Sequence, residues 1–149
     1  MTSCDFKDKD LVISMGGDGT FLAVQSNILG CKTPIMGINT DPKRSVGFLC
    51  TEKVFHETRK EDLQKLFKRV EEGKFKVSSK KRLIFKMQRG LEHCNVPVLN
   101  EVFFANKLVA GISKYKLIID KRLREHTYYT SGIIFSTSTG STSWLNSCK

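Results

Sequence analysis

A chain of 149 residues fits one average domain or two small ones, and with 40% hydrophobic and 27% charged residues it has the composition of a globular protein that buries a core. No apolar run approaches the roughly 18 residues of a membrane-crossing helix, and Asp5, Asp8 and Asp10 argue against a signal peptide or an acid-poor transit peptide in the opening residues. The net charge of +10 favours an anionic partner, among which nucleic acid, acidic lipid and polyphosphate nucleotides all qualify, although each basic cluster alone also reads as a solvated surface.

The first half reads as alternating strand and helix. Residues 11–15 (Leu-Val-Ile-Ser-Met) are a short apolar run of the kind that forms a buried parallel strand. Glycines follow, then a predicted helix over residues 20–29 with Phe21, Val24 and Ile28 on one face and Gly30 as its stop. Residues 34–38 predict a second strand, and Asn39-Thr40-Asp41-Pro42 a turn. Leu63, Leu66, Phe67 and Val70 have the i, i+3, i+4, i+7 spacing of a helix with one buried stripe. Thr58 and Glu61 form a capping-box pattern at its start, and Gly73 ends it.

Beyond Gly73 the period changes. Residues 81–87, 98–104, 115–120 and 128–137 are apolar, β-branched or aromatic runs parted by polar turns, so they predict strands. The expected organisation is an α/β nucleotide-binding part over residues 1–75 and a β-rich part over residues 76–149. Cys4, Cys31, Cys50, Cys94 and Cys148 are odd in number and include no close pair, and His56, His93 and His126 are scattered. Neither a disulfide framework nor a metal site is expected, and a reducing compartment follows.

Three segments carry chemistry. In Gly16-Gly17-Asp18-Gly19-Thr20, close glycines let backbone N–H groups approach an anion, and the helix that follows adds its positive end. The segment is neither a Walker A loop nor a G-x-G-x-x-G fingerprint. Asp18 stands where phosphate would sit, as an Asp that accepts the proton of an attacking hydroxyl in phosphoryl transfer does; the competing reading is a helix N-cap. In Leu99-Asn100-Glu101-Val102, a Glu can accept both hydroxyls of a ribose diol and an Asn can pair with an adenine edge; the competing reading is a polar strand end. In residues 132–144, a Ser, Thr and Gly run ends on Trp144-Leu145. Its position between an apolar strand and Trp144 predicts an ordered turn that can hold a nucleotide, rather than a flexible linker.

These segments resemble three motifs of the NAD kinases, in the family's order. Gly16-Gly17-Asp18-Gly19-Thr20 resembles the GGDGT loop that NAD kinases share with lipid kinases and, more loosely, phosphofructokinases. Leu99-Asn100-Glu101-Val102 resembles the LNE segment, and residues 132–144 resemble the STPTGSTAY signature. Gly37-Ile38-Asn39 and Gly47-Phe48-Leu49 match two shorter pieces between them. The glycine- and asparagine-rich segment that follows the loop in lipid kinases is absent. Ser131 replaces the usual Asp before Gly132, Trp144 the usual Tyr, and residues 39–45 a shorter N-T-G-x-x-G. In these departures the chain is most similar to the mitochondrial-type NAD kinases of animals.

The resemblance implies a Rossmann-like α/β part followed by a β-sandwich that this stretch of chain covers only in part. It implies ATP-dependent phosphorylation of the 2′-hydroxyl of the NAD adenosine ribose, with Asp18 as general base. Gly16, Gly17, Gly19 and Thr20 are then expected to hold ATP phosphates. Asn39, Phe48, Asn100 and Glu101 are expected to contact NAD, joined by the turn residues Thr139, Gly140, Ser141, Thr142, Ser143 and Trp144. Magnesium accompanies ATP, no metal ligand is assigned to the chain, and a homodimer in mitochondria, otherwise in the cytoplasm, is expected. Neither nucleic acid nor a stable membrane association is. The alternatives are a diacylglycerol- or sphingosine-type lipid kinase with the same loop, or a catalytically inactive piece of an NAD kinase.

Overall fold

A computed structural model describes residues 6, 8–28, 32–89, 92–108, 110–119 and 122–148. The Gly30 helix stop, Cys4 and Cys31 lie outside the described residues. So do the side chains of His93, Cys94, Arg124 and His126. The chain is an α/β protein that divides into two compact units, Met1–Ser79 and Lys80–Lys149.

In the first unit, strands β1 (Val12–Met15), β2 (Ile35–Asn39) and β3 (Glu52–Lys53) form a parallel sheet in that order. Helix α1 (Asp18–Asn27) connects β1 to β2, and helix α2 (Arg59–Glu71) follows β3. The parity of β2 explains the packing, because successive strand side chains point to opposite faces. Ile35 packs into a cluster with Phe6, Val12, Val24 and Ile28 on the α1 side. Met36 and Ile38 pack with Val54, Leu63, Leu66 and Val70 on the α2 side. A helix on each face of a parallel sheet is the doubly wound arrangement expected of a nucleotide-binding unit.

Two expectations for α2 change. Phe67 is not part of the buried stripe: Leu66 is buried and Leu63 and Val70 are half-buried, whereas Phe67 is exposed. The capping box does not form either. Thr58 is the N-cap but makes no side-chain cap bond; its hydroxyl donates to Asp62 Oδ2 at 2.7 Å. That bond, together with the Phe55 N–H, lowers the Asp62 pKa from its ordinary value. At the other end Gly73 has φ of +67°. The Lys74 N–H bonds to Arg69 O at 2.8 Å and the Gly73 N–H to Val70 O at 3.0 Å, which is a Schellman termination.

The second unit contains three antiparallel ladders: β4 (Leu83–Arg89) with β5 (Glu92–Val98), β6 (Glu101–Ala105) with β9 (Gly132–Ser136), and β7 (Ser113–Ile119) with β8 (Arg122–Thr130). A 3-10 turn at Gly140–Thr142 and the short helix α3 (Trp144–Ser147) follow. Phe104 on β6 meets Phe85 on β4 at 5.1 Å and Phe135 on β9 at 5.6 Å, both edge-on. The Tyr115 hydroxyl on β7 donates to Phe104 O at 2.6 Å, so one residue joins four strands.

Two strands expected to be continuous are each broken in two. The run over residues 98–104 breaks at Leu99-Asn100 because both carbonyls there accept from Thr137: Leu99 O takes its hydroxyl and Asn100 O its N–H. The run over residues 128–137 breaks at Ser131, where Thr130 Oγ1 takes the Gly132 N–H at 2.9 Å. A Cβ at Gly132 would strike the Phe103 ring. Strand β5 was not expected at all, since its polar residues Glu92, His93 and Asn95 hide the alternation.

Candidate functional site

The glycine loop joins β1 to α1. Gly16 has φ of +150° and donates its N–H to Ile38 O at 2.9 Å, extending the β1–β2 pairing. A Cβ on it would strike the Thr20 side chain. Gly16 therefore supplies the turn, and its N–H is not free to face an anion, unlike the expectation that it joins a phosphate cradle. Gly17 is the N-cap of α1, so the N–H groups of Gly17, Asp18, Gly19 and Thr20 are the four that a helix leaves without an intrahelical carbonyl. Space beside Gly19 is open: an added Cβ would meet nothing within 4 Å. A phosphate is suited to that end of a helix.

Asp18 is the first helical residue rather than the N-cap, and its carboxylate makes no capping bond. It instead accepts two backbone N–H bonds from a distant loop, Phe48 N to Oδ2 at 2.9 Å and Leu49 N to Oδ1 at 2.8 Å. The Asp18 side chain thus joins the Gly16–Thr20 turn to the Gly47-Phe48-Leu49 segment. Cys50 follows, buried, with its thiol 3.7 Å from Gly16 O. Burial, with the Asp18 charge second, pushes its thiol pKa up.

The Gly47-Phe48-Leu49 loop is held from below by Asn39. This residue is 0% exposed. Its Nδ2 donates to Ser45 O at 2.9 Å and its Oδ1 accepts from Asp41 N at 3.0 Å. The buried Asn39 amide thereby bonds to the protein through both its nitrogen and its oxygen, whereas it was expected to contact NAD. Gly47 takes φ of +66° directly over it, where a Cβ would press on that amide. Phe48 is 67% exposed at the tip, with its N–H on Asp18 and its ring in solvent.

The second unit brings the other two motifs together. The β6–β9 register sets Glu101 opposite Ser136, which places Asn100 beside Thr137 and the turn that follows. The Ser143 hydroxyl lies 2.5 Å from Glu101 Oε2 and 2.7 Å from Gly140 O. Asn100 Oδ1 is buried and has no hydrogen-bond partner among the described residues. Ser141 bonds back to Ser138 O at 2.7 Å, and Thr142 is exposed. Trp144, half exposed, meets Phe103 edge-on at 4.8 Å. Leu49 and Thr137 lie within segments that resemble the family, but the sequence assigns neither of them a role. Thr137 leaves a signal in the pattern Thr-x-Thr-Gly, whose first hydroxyl is spaced to accept N–H groups two and three residues on.

Four basic residues among those described have ion-pair partners on the surface. Lys43 pairs with Glu57, and the pairing raises the pKa of one and lowers that of the other. Arg69 pairs with Glu52, Lys74 with Glu72, and Arg44 more distantly with Asp41. Among the described residues no group of three or more His, Cys, Asp or Glu could hold a metal ion, and no helix is long and apolar enough to cross a membrane.

The profile of the ATP-NAD kinase N-terminal domain matches residues 3–75. Proteins named NAD kinase match over nearly the whole chain. That of Syntrophotalea carbinolica is 32% identical over 136 residues, covering 91% of this chain and 44% of its own length. That of Corynebacterium diphtheriae is 34% identical over 137 residues, covering 91% and 40%. The chain belongs to the NAD kinase family. It spans less than half the length of these relatives. The crystal structure of yeast NADH kinase complexed with NADH superposes with a TM-score of 0.78 over 93% of this chain and 39% of that one, at 21% identity. That likeness is one of fold. It covers both motif-bearing units of this NAD kinase family chain.

Proposed function

We propose that this chain is part of an enzyme that transfers the γ-phosphoryl group of ATP to the 2′-hydroxyl of the NAD adenosine ribose, giving NADP. The observation that carries the reading is the adjacent pair Asn100-Glu101. Asn100 offers a buried acceptor without a partner, suited to the amino group of an adenine. Glu101 is held by Ser143 through one oxygen only, which leaves the other for a ribose hydroxyl. Thr139, Gly140, Ser141, Thr142 and Trp144 belong to the same turn and supply the remaining nucleotide contacts in this reading.

Asp18 is the proposed base. A carboxylate has about four acceptor positions, and two are taken by Phe48 and Leu49. The two that remain can take the proton of the attacking hydroxyl while the backbone bonds fix the group's direction. Gly17, Gly19 and Thr20 present the open helix end to the ATP phosphates, and Phe48 offers its exposed ring to a base. Asn39 and Gly16 support this loop rather than touch substrate. In this reading the magnesium ion arrives on the ATP phosphates, and no step is assigned to it.

Incubation with Mg-ATP and each of NAD, NADH and diacylglycerol tests the reading, with NADP and NADPH detected by a specific dehydrogenase. NADP from NAD is the expected result. A phosphorylated lipid without NADP would overturn it, and NAD binding without turnover would mark a binding module. A homodimer is proposed on family grounds, to be read by light scattering. A mitochondrial-type enzyme located in mitochondria is proposed from Ser131, Trp144 and residues 39–45; a tagged protein that stays in the cytosol of animal cells would refute the location.

A further inference from the structure

We propose that Thr137 is a positioning residue that sets the spacing between the Asn100-Glu101 pair and the Gly140–Thr142 turn, and so controls dinucleotide affinity. This rests on the NAD-binding role proposed above for those residues. Thr137 is 8% exposed and belongs to neither β9 nor the turn. Its Oγ1 donates to Leu99 O at 2.5 Å and accepts the N–H groups of Thr139 and Gly140, each at 3.1 Å. One hydroxyl thus fills its single donor and both acceptor positions. Its own N–H bonds to Asn100 O at 2.8 Å.

The four bonds converge on one place. Two hold the consecutive carbonyls of Leu99 and Asn100, and two hold the first turn after β9. Between them the chain is in close contact, since a Cβ on Gly140 would strike the Asn100 carbonyl and approach Glu101 Oε2 at 2.7 Å. Ser143, one turn on, reaches the same Glu101 oxygen. Asn100 Oδ1, the acceptor left without a partner, lies on the strand side of this junction. A ligand that bonds Asn100 and Glu101 and also touches the turn meets a distance that Thr137 determines. Without the hydroxyl, the Leu99 carbonyl and two N–H groups lose their partner at once, and the turn is free to move away.

Thr137→Val keeps shape and removes the hydroxyl, whereas Thr137→Ser keeps the hydroxyl. Calorimetric titration with NAD and amide exchange at Thr139 and Gly140 are measured on the wild type and both variants. The expected result is a tenfold or greater loss of NAD affinity in Thr137→Val, with Thr137→Ser within about threefold of wild type. Exchange at the two amides should be at least tenfold faster in Thr137→Val alone. Wild-type affinity in Thr137→Val overturns the proposal while leaving the NAD kinase reading intact. If the wild type itself binds no NAD, that reading fails and the exchange rates decide the role of the hydroxyl: equal rates in the three proteins overturn it. Should Thr137→Val not fold, Gly140→Ala tests the same contact, and unchanged NAD affinity there counts against the proposal.

Discussion

Asp18 shows how one side chain can serve two demands. Its residue type and glycine neighbours pointed to a base at a phosphate site or to a helix cap. In the fold it does not cap, because both oxygens are taken by the N–H groups of Phe48 and Leu49. Asn for Asp is usually the gentle test of a base, since it preserves size. Here the amide nitrogen would face a backbone N–H, donor against donor. We expect Asp18→Asn to destabilise the fold by roughly 1–3 kcal/mol, besides lowering turnover about a hundredfold or more. Urea unfolding checks the first part, and a midpoint equal to the wild type's would show that the clamp contributes nothing. The loss of turnover must then be read at denaturant-free stability, with the folded fraction measured. Asn39 carries the complementary lesson: a residue that matches a family motif can be buried beneath the site and act through the loop it holds.

At the scale of elements, the two ends of α2 differ in how far the sequence reveals them. Gly73 was read as a stop, and it closes α2 with φ of +67° and the two Schellman bonds. Nothing lies within 4 Å of where its Cβ would be, so replacement by Ala incurs only the left-handed backbone penalty. Gly73→Ala is expected to lower stability by about 1–2 kcal/mol, measurable as a fall in urea midpoint without a change in slope. A larger loss would mean a contact not accounted for. The capping box at the other end does not form, because the Thr58 hydroxyl bonds to the Asp62 carboxylate. Asp62 is held below its ordinary pKa, so its contribution is present above the unfolded value. It is lost as pH falls through the lower folded value. Phe67 satisfies the helical stripe, yet it is exposed, and it is Leu63, Leu66 and Val70 that pack with Met36, Ile38 and Val54. The breaks at Leu99-Asn100 and Ser131 were hidden for a different reason. They are produced by bonds from Thr137 and Thr130, and in the first case the partner lies 38 residues away.

For the whole molecule, charge is the dominant global property. The ion pairs seen among the described residues lie at the surface, where solvent screening leaves each of them little net stabilisation. A net charge of +10 on 149 residues repels itself at low salt. Adding salt screens both effects, and the repulsion is the larger. The urea midpoint should therefore rise when ionic strength is raised from about 0.02 to about 0.5 M, where the Debye length falls to a few ångströms. A fall would mean that the surface pairs outweigh the self-repulsion. The division into two units follows the change of hydrophobic period, from helical spacing before residue 73 to strand spacing after it.

The sequence by itself determined the α/β character, the position of the glycine turn and the family, because each is encoded in residues close together along the chain. Periodicity, glycines with positive φ and short motifs are local signals, and local physics reads them directly. Only the tertiary structure decided what the motif residues touch. Asp18 meets the N–H groups of Phe48 and Leu49, about 30 residues on. Thr137 joins Leu99 and Asn100 to the turn that bears Gly140 and Ser143. Those contacts depend on strand register and loop closure, which no spacing along the chain records. What began as a carboxylate in a glycine loop is, in the fold, also the hydrogen-bond tie that secures the neighbouring loop.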